Sequence, residues 1–125
     1  MRSKRFSLAS RINSFRFAGQ GIISFVQKEH NAWLHAIATI AVISLGIITR
    51  ITMGEWLAIL LAIGIVWVAE MFNTCIEKLM DFISPDHHPQ IKFIKDVSAG
   101  AVLVAAMITL AIGLIIFIPH FFLIN

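Results

Sequence analysis

The sequence predicts an all-α membrane protein, with an N-terminal interfacial amphipathic helix followed by three transmembrane helices. Of the 125 residues, 58% are hydrophobic and only 14% are charged, whereas soluble domains carry about 25% charged residues. Three apolar runs are also long enough to cross about 30 Å of hydrocarbon as helices. We therefore expect a single membrane domain over residues 1–125, with no soluble domain of useful size.

The N-terminal segment, residues 1–28, is expected to lie on the membrane surface as a helix. Apolar residues such as Phe15 alternate with basic ones such as Arg16, a pattern typical of an amphipathic helix in the headgroup region. Gly19 and Gly21 weaken this helix in its middle. They predict a break or a bend there, or a close contact with the backbone.

The predicted transmembrane helices occupy residues 32–50, 55–83 and 91–118. The second helix is expected to project from the membrane, because its apolar periodicity continues beyond Glu70 to Ile83. Proline disfavours helical geometry at the residue before it, so Pro85 ends this helix and residues 84–90 form a loop. Pro119 is expected to close the third span.

Basic residues are distributed unevenly around these spans. Six precede the first span, Lys78, Lys92 and Lys95 lie where the second and third spans are joined, and only Arg50 lies between the first and second. The positive-inside rule therefore places the N-terminus and the loop between the second and third spans in the cytoplasm, and the C-terminus outside. The basic N-terminus is expected to contact anionic membrane lipids rather than nucleic acid.

Polar residues follow the second apolar run on what is still the same helix. Glu70, Asn73, Glu77 and Asp81 are spaced by three, four and four residues. At about 100° per residue, these four side chains fall within roughly 80° of one another on one helical face. Acids in or beside a membrane are costly unless they bind something, which makes this stripe a candidate functional site.

Carboxylates and lysines gather, by this topology, at or near the cytoplasmic face. The acids are Glu29, Glu70, Glu77, Asp81, Asp86 and Asp96, and the lysines are Lys78, Lys92 and Lys95. Mg²⁺ would offset the repulsion among such carboxylates, and it is normally held by one or two of them together with phosphates and water. Lysines contact phosphates, and a partly desolvated carboxylate can act as a base toward a lipid hydroxyl. The alternative is a set of solvated interfacial charges with one buried acid that makes an interhelical hydrogen bond.

Other kinds of site find less support in the sequence. The P-loop pattern and the protein-kinase signature set are absent. A zinc site is a weak hypothesis, because adjacent histidines are not a standard zinc spacing and the ligands would come from different helices. Its ligands would be Glu29, Cys75, His87 and His88. Cys75 is instead expected to be a small packing residue.

Three runs of residues together resemble the bacterial diacylglycerol kinase/undecaprenol kinase family. They are Glu70-x-x-Asn73-Thr74-x-Ile76-Glu77-x-x-x-Asp81, Ile83-Ser84-Pro85-x-x-His88-Pro89 and Lys95-Asp96-x-Ser98-Ala99-Gly100-Ala101-Val102-Leu103, and Glu29 matches the family's N-terminal acid. The similarity covers residues 15–118. It implies a small three-span lipid kinase of the bacterial cytoplasmic (inner) membrane, which transfers the γ-phosphoryl of MgATP to a lipid alcohol. It also implies a homotrimer whose active sites are shared between subunits.

The resemblance implies a role for each matching residue. Glu70 would be the general base that takes the proton from the lipid hydroxyl, and Asn73 would position the reacting groups. Glu29 and Glu77 would hold the Mg²⁺ that bridges the ATP phosphates. The remaining residues implied at the nucleotide are Phe17, Asp86, His87, His88, Lys95 and Asp96.

The loop over residues 84–89 resembles the undecaprenol kinase branch of the family more than the diacylglycerol branch, so undecaprenol is the favoured substrate and diacylglycerol the alternative. Two further hypotheses belong to other classes of protein. One is a non-enzymatic membrane subunit in which Glu70 secures assembly, and the other is a proton-coupled carrier in which Glu70 titrates. Both predict that Lys95 and Asp96 are dispensable, whereas the kinase hypothesis predicts that they are required.

Overall fold

A computed structural model describes residues 7–86 and 88–122 of the chain. Within these ranges the protein contains four α-helices and no strand. The helices are α1 (Leu8–Lys28), α2 (His30–Thr49), α3 (Met53–Ile83) and α4 (Pro89–Phe122). The last three are long and apolar enough to cross a membrane, which confirms an all-helical membrane protein with three candidate spans. The interfacial, amphipathic character of α1 and the homotrimer stay predictions.

The chain forms two compact units, Met1–Leu34 and His35–Asn125. The first unit holds α1 and the beginning of α2, and the second holds the rest of α2 together with α3 and α4. The expectation of one membrane domain over the whole chain stays a prediction.

Helix α1 is uninterrupted from Leu8 to Lys28. Ser7 caps its start, where the Ser7 hydroxyl accepts a hydrogen bond from the Ser10 backbone N–H at 3.3 Å. The break predicted at Gly19 and Gly21 is absent. Each glycine costs a helix about 1 kcal/mol relative to alanine, which is less than the cost of leaving several backbone groups without their helical hydrogen bonds.

The turn between α2 and α3 is set by two helix caps. Arg50 adopts a left-handed conformation with a φ of 55°, the Arg50 N–H donates to the Ile47 carbonyl, and the Ile51 N–H donates to the Gly46 carbonyl. This is a Schellman motif, in which an arginine takes the position usually held by glycine. Thr52 then starts α3 with a capping box: its hydroxyl accepts from the Glu55 N–H, and the Glu55 carboxylate accepts from the Thr52 N–H.

Helix α3 ends at Ile83, as Pro85 predicts, with Ser84 as its C-cap. Helix α4 begins at Pro89, two residues before the predicted start at 91. Proline fits the first position of a helix because its missing N–H would have no helical partner there. The residue before it, His88, caps the helix, and its Nδ1 accepts a hydrogen bond from the Gln90 N–H at 3.1 Å.

Helices α3 and α4 pack against each other over much of their length. A small core of buried residues, Ile51, Ile59, Ile116 and Phe117, lies near the start of α3 and the end of α4. At the same end, the His120 Nε2 lies 3.0 Å and 3.2 Å from the two carboxylate oxygens of Glu55. Pro119, which was predicted to close the third span, does not end α4, because the helix continues to Phe122. Proline removes only one backbone hydrogen bond here, and the packing on both sides of it holds the last turn in place.

Candidate functional site

Two polar side chains are buried on α3 in the stretch that the sequence singles out. Glu70 is 2% exposed and Asn73 is 6% exposed. They lie three residues apart and therefore on one face of the helix. Burial of a carboxylate costs several kcal/mol unless its surroundings compensate for the lost water. A buried acid of this kind in a membrane helix is a candidate functional group.

Asn73 is only partly satisfied by hydrogen bonds. Its Nδ2 donates to the Glu77 Oε1 at 3.3 Å. Its Oδ1 is buried and accepts no hydrogen bond within the described part of the chain. A buried acceptor without a partner costs about 1–3 kcal/mol, and such atoms in native proteins call for an explanation such as a ligand. The amide oxygen is therefore available to a donor brought by a substrate.

The polar stripe passes from buried to exposed along α3. Glu70 and Asn73 are buried, whereas Glu77 and Asp81, one and two turns beyond Asn73, are exposed. The hydrogen bond between Asn73 and Glu77 confirms that the middle of the stripe lies on one face. The stripe thus runs from the buried carboxylate of Glu70 to the carboxylates of Glu77 and Asp81, which water and ions can reach.

Sequence reasoning did not assign a role to His35, which the structure places beside Glu70. The His35 Nε2 lies 3.5 Å from the Glu70 Oε2. The imidazole also lies near the Trp67 ring, with 6.1 Å between the ring centroids. An ionisable residue within an apolar span is itself a functional signal, and this signal could have drawn attention to His35. Its partner could not be named, because 35 residues separate the two in the chain.

A cleft of about 300 Å³ lies between the end of α3 and the start of α4. Four of the residues predicted to contact nucleotide line it: Asp86, His88, Lys95 and Asp96. The other lining residues are Asp81, Ser84, Pro85, Ile91 and Lys92. Residues from the end of α3, from the loop and from the start of α4 thus line one strongly charged cleft.

Two ion pairs organise the charges of this cleft. The Lys95 Nζ lies 2.6 Å from the Asp81 Oδ1, and the Lys92 Nζ lies 2.5 Å from the Asp96 Oδ2. Exposed ion pairs of this kind contribute little to stability, so the ammonium groups can exchange a carboxylate partner for a phosphate. The ion pair between Lys95 and Asp81 also joins the start of α4 to the end of α3, which gives Asp81 a structural role.

The other predicted site residues lie elsewhere. Phe17 is on α1 and is 66% exposed. Glu29 is the C-cap residue of α1, and its N–H donates to the Phe25 carbonyl. Both belong to the first compact unit. His87 lies outside the described residues. Cys75, expected to be a packing residue, is exposed.

The described His, Cys, Asp and Glu side chains fit one of the two metals suggested by the sequence, Mg²⁺, better than the other, Zn²⁺. No group of three or more His, Cys, Asp or Glu side chains in the described ranges could hold a metal ion by itself, which leaves the zinc hypothesis without support there. Mg²⁺ differs in this respect, because it needs only one or two carboxylates and completes its shell with phosphate and water. Glu77, an exposed carboxylate beside a partly satisfied amide, fits that requirement.

The sequence profile of the prokaryotic diacylglycerol kinases matches residues 16–117, which include every predicted site residue. The chain belongs to this family. This match confirms the family predicted from the sequence, and with it the prediction that the protein is a kinase. The chain is 43% identical over 106 residues to the undecaprenol kinase of Bacillus subtilis, a match that covers 85% of this chain and 86% of the relative. It is 28% identical over 107 residues to a diacylglycerol kinase of Synechocystis, a match that covers 85% of this chain and 61% of that protein.

Proposed function

We propose that this membrane kinase transfers the γ-phosphoryl of MgATP to a lipid alcohol, and that the alcohol is undecaprenol. The observation that carries the proposal is the buried Glu70 carboxylate, one turn from an Asn73 oxygen that accepts no hydrogen bond from any described residue. The preference for undecaprenol over diacylglycerol rests on the relatives. Sequence identity to an undecaprenol kinase is 43% over most of both chains, whereas identity to a diacylglycerol kinase is 28% and the match spans 61% of that protein.

In the proposed reaction Glu70 is the general base. As the lipid hydroxyl oxygen forms its bond to the γ-phosphorus, the bond from that phosphorus to the β,γ-bridging oxygen breaks and ADP leaves. The hydroxyl proton passes to the Glu70 carboxylate. The Asn73 oxygen accepts a hydrogen bond from this hydroxyl as the lipid enters, before the O–H turns to Glu70 for proton transfer, while the Asn73 amino group stays bonded to Glu77. Positioning and charge stabilisation are the main requirements of phosphoryl transfer, and burial keeps water from competing as the acceptor.

The nucleotide occupies the charged cleft in this proposal. Lys95 leaves Asp81 and contacts the phosphates, and Asp96 and Asp86 contact the rest of the nucleotide. His88 accepts its capping bond at Nδ1, so its Nε2 is the nitrogen that can donate to the nucleotide. Glu77 and Glu29 would hold Mg²⁺, and the cation would neutralise part of the charge on the phosphates. Phe17 and His87 complete the proposed nucleotide contacts.

A single chain of this size offers little enclosure for both ATP and a lipid, and we propose that it acts as a homotrimer with shared sites. An apolar groove on α3 supports this proposal, because a glycine in its floor permits close approach of another helix. The groove is lined by Leu60, Leu61, Gly64, Ile65, Val68 and Ala69. In the bacterial inner membrane, the N-terminus and the α3–α4 loop would be cytoplasmic and the C-terminus outside.

The test is lipid phosphorylation by the purified full-length protein in bilayers, with MgATP and each lipid offered separately. We expect undecaprenol to be phosphorylated with a higher kcat/KM than diacylglycerol. A higher kcat/KM for diacylglycerol would contradict the substrate assignment. Phosphorylation of neither lipid would contradict the proposed lipid kinase function itself.

A further inference from the structure

We propose that His35 is a positioning residue for this reaction, and that its imidazole holds the Glu70 carboxylate toward the lipid hydroxyl. The inference rests on the proposed function. Its starting point is the contact between two side chains on different helices, in which the His35 Nε2 lies 3.5 Å from the Glu70 Oε2. The Glu70 side chain is almost fully buried and the His35 side chain is partly exposed.

The two atoms do not form a hydrogen bond at this distance, but a small shortening of the contact when substrate binds would make one. N–H···O hydrogen bonds in proteins span about 2.7–3.2 Å, so the contact is slightly long. Catalytic hydrogen bonds are often long before substrate binds and tighten in the complex. For His35 to donate to the carboxylate, the proton must be on Nε2. The imidazole then restricts rotation of the carboxylate about its terminal bond, which is otherwise a broad and weakly defined torsion.

The Trp67 ring packs beside the imidazole and is itself anchored to α2. The Thr39 hydroxyl donates to the His35 carbonyl at 2.6 Å and accepts from the Trp67 Nε1–H at 2.9 Å. The Trp67 ring lies beside the imidazole at an interplanar angle of 56°. Trp67 is three residues before Glu70 and therefore on the same face of α3. Thr39 thus ties the Trp67 side chain to the α2 backbone at His35, and this places the Trp67 ring beside the imidazole.

His35 lines an apolar cavity and also contacts the buried Glu70 carboxylate. The cavity has a volume of about 450 Å³ and lies among α2, α3 and α4, within the size range of small-ligand pockets. Its lining includes the polar side chains of His35, Thr39, Trp67 and Thr109, while residues such as Leu45 and Phe117 make the remainder apolar. A long-chain alcohol that reaches Glu70 from this cavity passes His35 with its hydroxyl group, and the imidazole fixes the carboxylate at that point.

The chain contains a second histidine–glutamate pair that serves as a matched control. His120 on α4 contacts Glu55 on α3 at 3.0 Å. Glu55 precedes Glu70 by 15 residues on the same helix, or about 22 Å at the helical rise. Both pairs join two helices through the same chemistry, but only the His35 pair includes the proposed base. If His35 merely tethered α2 to α3, loss of either histidine should affect the protein in a similar way.

The experiment compares the wild-type protein with His35→Leu, His35→Gln and His120→Leu, all full-length and in the same detergent. Leucine keeps bulk without a donor, whereas glutamine places an N–H donor near the position of Nε2. We expect His35→Leu to lower kcat for the lipid alcohol about tenfold to a hundredfold, with the KM for ATP changed by less than about twofold. His35→Gln should recover most of kcat, and His120→Leu should keep kcat while lowering the unfolding temperature.

Three results would overturn the inference while leaving the kinase function intact: wild-type kcat in His35→Leu, no recovery in His35→Gln, or equal losses of kcat in His35→Leu and His120→Leu. Thermal unfolding of each variant separates a fall in kcat from a fall in the folded fraction. A wild-type protein that phosphorylates no lipid would overturn the proposed function and this inference together.

Discussion

Replacement of Asn73 by leucine should make the protein more stable and less active. The substitution keeps a similar side-chain volume and removes both polar atoms of a residue that is 6% exposed. Removal of the buried Oδ1, which has no donor in the described residues, relieves a cost of about 1–3 kcal/mol. Loss of the 3.3 Å bond from Nδ2 to Glu77 removes about 0.5–1.5 kcal/mol. Glu77 is exposed, so water can replace that donor.

The two ranges leave a net change of about −0.5 to 2.5 kcal/mol, with a central value of about 1 kcal/mol in favour of the folded state. Chemical unfolding in detergent measures the free energy, and lipid phosphorylation by the same preparation measures kcat. We expect a higher unfolding midpoint together with a fall in kcat of at least about tenfold, because the variant cannot accept a hydrogen bond from substrate. Residues retained at a cost in stability are typical of functional sites.

An Asn73→Leu variant that is less stable than wild type and keeps its kcat would refute this reasoning. It would mean that the amide is a structural hydrogen-bonding group and that its oxygen has no part in the reaction. Asn73→Asp provides a second comparison, because it keeps an acceptor oxygen at the same place but adds a charge between Glu70 and Glu77.

Three other substitutions test separate parts of the site. Glu70→Gln should lower kcat by about a hundredfold to ten-thousandfold, the usual contribution of a general base, without loss of ATP binding; full activity would rule out Glu70 as the base. Lys95→Met should raise the KM for ATP by about tenfold or more, whereas Lys78→Met, outside the cleft, should not; equal effects of the two would argue against a specific phosphate contact. Glu77→Gln should raise the Mg²⁺ concentration needed for half-maximal activity, and an unchanged Mg²⁺ dependence would argue against a metal ligand at this position.

Features with a local physical cause were predictable from the sequence. The end of α3 at Ile83 follows from Pro85, and the continuation of α3 beyond Glu70 follows from apolar periodicity. The shared face of Asn73 and Glu77 follows from helical spacing. The capping box of Thr52 and Glu55 also has a sequence signature. This capping box starts α3 at Met53, two residues before the predicted start at residue 55.

Other features of the fold depend on competition between local preference and packing. Glycines disfavour helix, yet α1 runs through Gly19 and Gly21. Proline usually ends a helix, yet α4 runs through Pro119 to a histidine that contacts Glu55. Arg50 takes a left-handed conformation that glycine normally supplies. In each case the local penalty is of the order of 1–3 kcal/mol, small enough for neighbouring contacts to outweigh.

The contacts that complete the candidate site could not be predicted from spacing along one helix. His35 meets Glu70 only because the fold brings side chains of α2 against α3, and Lys95 meets Asp81 only because the loop turns α4 back along α3. The burial of Asn73, whose oxygen accepts no hydrogen bond among the residues that the structure describes, likewise depends on tertiary packing. Sequence spacing identified the acids, but the partners of those acids come from other helices.

The central claim is that Glu70 serves as the base in phosphoryl transfer to a lipid alcohol. It is tested most directly by transfer of the γ-phosphoryl from labelled MgATP to undecaprenol, with wild-type protein and Glu70→Gln reconstituted side by side. We predict labelled undecaprenyl phosphate with the wild type and a loss of at least about a hundredfold with the variant. Equal labelling by the two proteins, or no labelled lipid with the wild type, would contradict the claim.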